Sequence, residues 1–285
     1  MFKNLSPGAI GIQANIQEGL ELAKSTGFGG LDLNIGEANT LAQEHSVDYV
    51  KDLWAKVGLS MGGWGLPVNW RGSDTEYDEG LLGLRDLAKL AADLGCYRTT
   101  TVIIGWSSEV PFKENWDFHI KRLRPVAETL KDYGHSLGFE FIGPATSRAA
   151  HKHLFVYTMD GMLTLAAAIG TGNVGLLFDT WHWYTCRATL DDVKKLAKED
   201  VVYVHINDAP TGIDPDEQID NVRCLPAETG VIPLGEVMRI LSDIGYDGPV
   251  TPEPFSQKVR EMSPKDAARN TAESLDKVWE QIGLT

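Results

Sequence analysis

Apolar positions along the chain follow two spacings. Short runs rich in Val, Ile and Leu read as strands, and longer stretches with apolar residues three and four apart read as amphipathic helices. Strands are predicted at AIGIQA (9–14), GGLDLNI (29–35), the start of LSMGGWGLP (59–67), RTTTVIIG (98–105), 137–142, NVGLLFD (173–179), VVYVHIND (201–208) and GPVTPEP (248–254). Helices are predicted at 17–26, 46–57, 76–94, 115–134, 158–169, 189–198, 233–245 and 264–281. Leu81, Leu84, Leu87 and Leu90 mark one helical face. Thr189 is a suitable cap and Pro264 suits a first turn. Pro125 starts or kinks its helix.

Strand and helix thus alternate eight times, with no Gly/Ser/Pro-rich linker between them. Repeated βα order implies parallel strands covered by helices. Eight units in 285 residues predict one domain, 1–285, folded as a closed (β/α)8 TIM barrel. The alternative is an open doubly wound sheet with an extra lobe. It lacks a GxGxxG after the first strand, and GFGG at 27–30 reads as a helix-ending turn.

Composition narrows the partners. A hydrophobic content of 43% supports a large core, and a formal charge of -14 disfavours nucleic acid as a partner. Cys96, Cys186 and Cys224 are too few and too far apart for a disulfide framework, which is compatible with a reducing compartment. The start, MFKNLSPGAIGIQ, has no long apolar run with a cleavage pattern, and no run of 18 apolar residues occurs. A cytoplasmic protein without membrane attachment is the expectation.

A barrel carries its chemistry at the C-terminal ends of its strands. Strands five to eight place there Glu140 in GFEFIGP, Asp179 in LLFDTWHWY, His205 in VVYVHIND and Glu253 in PVTPEPFS. Three grouped carboxylates repel one another and raise their own pKa values; a divalent cation removes that cost. Three carboxylates and one imidazole suit Mn2+ first, with Mg2+, Co2+ or Zn2+ as alternatives. Each residue alone has an ordinary explanation: a buried acid paired with arginine, a loop cap, a core histidine, a strand terminus. Their succession on adjacent strands favours the metal.

Further candidates lie nearby. His182 stands three residues after Asp179, Asp208 three after His205, and Arg223 in the long loop before the seventh helix. Their ordinary readings are a solvated loop, a loop start and a surface charge. Trp64, Trp106, Trp181, Trp183 and Tyr184 follow strand ends, where rings suit the C–H faces of a sugar or cyclitol or simply fill space between loops. His151 and His153 sit in the loop 144–157, which either touches substrate or covers the mouth.

These motifs make the whole chain resemble the sugar phosphate isomerase/epimerase family, the xylose isomerase-like TIM barrels. The nearest branch is that of 2-keto-myo-inositol isomerase and inosose dehydratase, with the ketose 3-epimerases as cousins. The resemblance implies Glu140, Asp179, His205 and Glu253 as metal ligands, with Glu140 and Glu253 also as acid–base catalysts. It implies His182 and Arg223 as substrate contacts, to which Trp64, Trp106, Trp181 and Asp208 are added as candidates. The implied activity is metal-dependent isomerisation or epimerisation of a keto-sugar or keto-cyclitol through an enediolate. Dehydration of an inosose is the alternative, and a non-catalytic sugar-binding barrel is the alternative of another class. The endonuclease IV branch would need more metal ligands and a basic face. Barrels of this kind often self-associate, so a homo-oligomer is expected. Two features depart from the family pattern. The glycine-rich loop after strand seven is here LPAETG, and Pro252 and Pro254 bracket Glu253, which predicts a bend that re-aims it.

Overall fold

The computed structural model describes residues 1–283. Eight parallel strands close into a barrel. They are β1 (Phe2–Leu5), β2 (Gly30–Leu31), β3 (Ser60–Met61, resumed at Trp64–Gly65) and β4 (Arg98–Ile103), then β5 (Ser136–Phe141), β6 (Val174–Asp179), β7 (Val201–Ile206) and β8 (Pro249–Pro252). The covering helices are α1 (Ile16–Thr26), α2 (Val47–Val57), α3 (Asp74–Leu94) and α4 (Phe112–Asp132), then α5 (Met159–Ile169), α6 (Leu190–Val193), α7 (Leu234–Asp243) and α8 (Pro264–Ile282).

The ring closes at β3. Its first piece pairs with β2 (Gly30 opposite Ser60) and its second with β4 (Trp64 opposite Thr99). Gly62 and Gly63 separate the two pieces. On the other side β1 pairs with both β2 and β8.

Local sequence explains most elements. α1 starts at a capping box, Asn15 with Glu18, and stops at Gly27 in the left-handed region. α3 repeats the device with Ser73 and Glu76, ending at Gly95. In β5 the two-residue alternation puts Leu137, Phe139 and Phe141 on one face and Glu140 on the other. All three apolar residues are buried, so packing pins the strand and aims the acid.

Four expectations are corrected. The run 9–14 is not the first strand. Pro7–Ile10 forms a 3-10 turn ended by Gly11 at φ 79°, and β1 lies earlier, in FKNL. The second strand is shorter than 29–35, because Asn34 caps an additional helix, Ile35–Glu44. The segment after β6 is helical, Thr180–Thr185, capped by the Asp179 side chain. The helix at 189–198 is regular only over α6. At the rim, Trp106–Ser107 and His153–Leu154 form a small antiparallel pair. No helix among the described residues is long and apolar enough to cross a membrane.

Candidate active site

Glu140 is the penultimate residue of β5, Asp179 the last of β6, His205 the penultimate of β7, and Glu253 follows β8. The strand register sets His205 beside Asp179 on one side and Thr251 on the other. One ligand atom from each of the four residues lies within 4.8 Å of those of the others. His205 Nδ1 is 3.0 Å from Glu140 Oε1 and 3.5 Å from Glu253 Oε2.

Arg223 braces the group from behind. Its Nη1 donates to Asp179 Oδ2 (2.8 Å) and to Glu253 Oε2 (3.1 Å), and its Nη2 to Asp220 Oδ1 (2.9 Å). The other oxygen of Asp179 accepts from the Trp181 backbone N–H (2.8 Å) and from Asn207 Nδ2 (3.1 Å). Gly143 N–H donates to His182 Nδ1 (3.2 Å). The His182 Nε2 lies 3.4 Å from Arg223 Nη2 and 3.6 Å from Asp179 Oδ2.

The charges answer one another. Burial opposes protonation of His205, but Glu253, Glu140 and Asp179 outweigh it and raise its pKa to about 10. Burial also pushes Asp179 up, and the Arg223 guanidinium, with His182 and His205, overrides it and holds the carboxylate ionised. Glu253 is raised by burial and by Glu140, against the pull of His205 and Arg223. Burial pulls the His182 pKa down, despite Asp179. The site is built to hold a positive charge between its carboxylates.

A cavity of about 670 Å³ opens onto His205 and Glu253. Its opposite wall comes from the loops after β1, β2 and β3, including Asn15, Asp32 and Glu37. Trp64 and Phe255 give it apolar surface.

The model of the xylose isomerase-like TIM barrel family matches residues 20–278. The chain belongs to that family. Among its relatives, the inosose isomerase of Halalkalibacterium halodurans is 27% identical over 159 residues, 55% of this chain and 52% of that one. This chain therefore spans about half the length of the first curated relative it matches. The inosose isomerase of Bacillus velezensis is 20% identical over 270 residues, 93% of this chain and 92% of that one. A solved xylose isomerase domain protein from Alicyclobacillus acidocaldarius superposes with a TM-score of 0.88, is 32% identical and covers 99% of both chains.

Within this xylose isomerase-like barrel, the structure brings Glu140, Asp179, His205, Glu253, His182 and Arg223 together, and Trp64 lines the cavity. The other candidates lie elsewhere. Asp208 is buried, with its carboxylate taken by the backbone N–H groups of Ala209, Thr229, Gly230 and Ile232. It organises the loop that carries Arg223. Trp181 is fully buried beneath Arg223, whose guanidinium carbon is 5.4 Å from its ring. Trp106 stacks on His151 at the rim, 5.0 Å between ring centres. Trp183 turns inward and donates to the Thr189 carbonyl.

Sequence reasoning missed Asn207, Asp32, Tyr203 and Phe255. Asn207 is fully buried. Its Nδ2 donates to Asp179 while its Oδ1 accepts the Glu253 backbone N–H at 2.9 Å. That bond, with a weaker one from Glu253 N–H to the Ile206 carbonyl, steadies the proline-flanked glutamate. The expected re-aiming does not separate Glu253 from the other donors. Asp32 closes an apolar strand run, the same signature that singled out Asp179. Phe255 carried no signal beyond its place after Glu253; its backbone is left-handed, φ 40°.

Proposed function

We propose that this barrel is a divalent-metal-dependent isomerase or epimerase acting on a keto-sugar or keto-cyclitol. The observation that carries the reading is the convergence of Glu140, Asp179, His205 and Glu253 within 4.8 Å at the barrel mouth. The residues fit a cation: oxygen-rich donors with one imidazole, already drawing positive charge to themselves, suit Mn2+ first and Mg2+, Co2+ or Zn2+ next. When bound, such an ion supplies Lewis-acid polarisation of a ligand carbonyl. The family membership and the inosose isomerase relatives support the choice of substrate class.

The protein's own groups then do the proton work. Asp179 and His205 hold fixed positions. Asp179 is locked by Arg223 and Asn207, and His205 stands between the two glutamates. Glu140 or Glu253 removes the proton on the carbon beside the carbonyl, and the same or the other glutamate returns it. The raised pKa of Glu253 suits a group that both accepts and gives a proton near neutrality. Return to the neighbouring carbon isomerises the ligand, and return to the opposite face of the same carbon epimerises it. Loss of a β-hydroxyl instead would make the enzyme a dehydratase. Arg223 keeps Asp179 and Glu253 oriented from behind, with His182 beside Asp179, and Trp64 offers a face to ligand C–H groups.

Deuterium uptake from D2O, followed by NMR with Mn2+ present, tests this across inososes and ketoses. The expected result is uptake beside the carbonyl that needs the metal and falls about 10²- to 10⁴-fold in Glu140→Gln. Undiminished uptake in a folded, metal-bound Glu140→Gln protein would overturn the assignment. The product spectrum separates isomer, epimer and alkene.

A further inference from the structure

We propose that Asp32, backed by Tyr203, is a hydroxyl-binding station on the wall formed after β1, β2 and β3. The station makes the cavity select an uncharged polyhydroxylated ligand over a phosphorylated one. This rests on the reading of the cavity as a site for a keto-sugar or keto-cyclitol.

Asp32 follows β2 and lines the same cavity as His205 and Glu253. Its two oxygens are unequally used. Oδ1 accepts from Asn4 Nδ2 (2.8 Å), Tyr203 Oη (2.8 Å) and Gly63 N–H (3.0 Å). Oδ2 accepts only from Tyr203 Oη, at 2.9 Å. A carboxylate has about four acceptor positions, so its spare capacity is concentrated on Oδ2. Tyr203 has a single hydroxyl proton for both Asp32 oxygens and for Thr251 Oγ1, 2.5 Å away. It cannot saturate Oδ2 as well. Three donors, from β1, the glycine break in β3 and β7, hold the carboxyl in place, so a ligand hydroxyl meets an acceptor whose orientation is already fixed. Tyr203 also stands edge-on to His205, with ring centres 5.4 Å apart, so one ligand reaches both ends.

Charge adds the selection. The cavity wall contains Asp32, Glu37 and Glu253 and, among the described residues, no Lys or Arg. Arg223 and Arg260 stack on Phe255, at 4.6 Å and 5.4 Å from its ring, and neither lines the cavity. Hydroxyl donors gain charge-assisted bonds from such a wall. A phosphate group meets these acids with no lysine or arginine on the wall to answer it.

The test is calorimetric titration of the Mn2+-loaded protein with 2-keto-myo-inositol, D-fructose and D-fructose 6-phosphate. At least one neutral ligand is expected to bind, and fructose to bind at least about tenfold more tightly than its phosphate ester. Asp32→Asn keeps the shape and an acceptor for Gly63 N–H. It is expected to weaken the neutral ligand about ten- to hundredfold and to leave Mn2+ affinity unchanged. Tyr203→Phe is the second variant, with a smaller loss through the freed carboxyl. Unchanged affinity in Asp32→Asn, equal or tighter binding of the phosphate ester, or no binding of either neutral ligand overturns the proposal. Binding as expected without deuterium uptake leaves the station standing and removes the proposed reaction instead.

Discussion

The two sides of the barrel are made differently. β4, β5, β6 and β7 each run six residues, in ladders broken only by one register shift between β6 and β7 at Val201–Tyr203. β2 and each piece of β3 have two residues. The regular side delivers three of the four clustered donors at fixed heights, and β8 the fourth. The short side delivers space. A Cβ on Gly62 would lie 2.4 Å from Asp32 Oδ1 and 2.5 Å from Asn4 Oδ1, so the Asn4–Asp32–Tyr203 network exists only because that position has no side chain. Long ladders serve where a donor must be aimed, and broken ones where polar groups and a ligand must approach the backbone.

If charge holds the regular side together, Arg223→Ala in metal-free protein has the largest effect. It leaves the buried Asp179 and its neighbours unanswered, at a cost of about 3–5 kcal/mol. Urea unfolding measures it, and a loss below about 1 kcal/mol would erase the contrast. The short side is tested by acid. His119 on α4 packs against Trp70 in the segment after β3, with ring centres 5.0 Å apart, and its Nδ1–H donates to the Asn115 carbonyl. Burial pulls its pKa down to about 4 from the ordinary 6.5. The unfolded chain therefore binds this proton more readily. The stabilisation is complete above pH 6.5 and is lost as pH falls towards 4, amounting to about 3 kcal/mol. Unfolding at pH 7 and 4.5, compared with His119→Gln, isolates that contribution, and the variant is expected to show a flatter pH dependence. The smallest effect is Gly62→Ala, about 1–3 kcal/mol from crowding Asn4 and Asp32. Its stability loss should be accompanied by weaker ligand binding with Mn2+ affinity intact.

Legibility in the sequence followed the same division. β-branched and apolar runs marked β4 to β7, and the acids and histidine that interrupted those runs were the clustered donors. β1 escaped because FKNL turns a polar Asn4 into the barrel, whereas AIGIQA looks more like a strand but is bent by Pro7 and Gly11. The helix Thr180–Thr185 was invisible because its cap is Asp179, a residue already claimed for chemistry. Asp208 was placed on the cavity because spacing from His205 cannot reveal that four backbone N–H groups surround its carboxylate. Asn207 was overlooked for the converse reason: its value lies in joining β6 to the residue after β8, a relation between distant segments that no local pattern carries.

The divided third strand has one more consequence. The order of strands begins at Ser60–Met61 and ends at Trp64–Gly65, so one stretch of chain supplies both borders of the sheet and joins them. Unpaired borders are where sheets recruit foreign strands and begin to aggregate, and a ring has none to offer. The two-residue glycine break that makes room for Asn4 and Asp32 thus sits within the join that protects the barrel from its own copies.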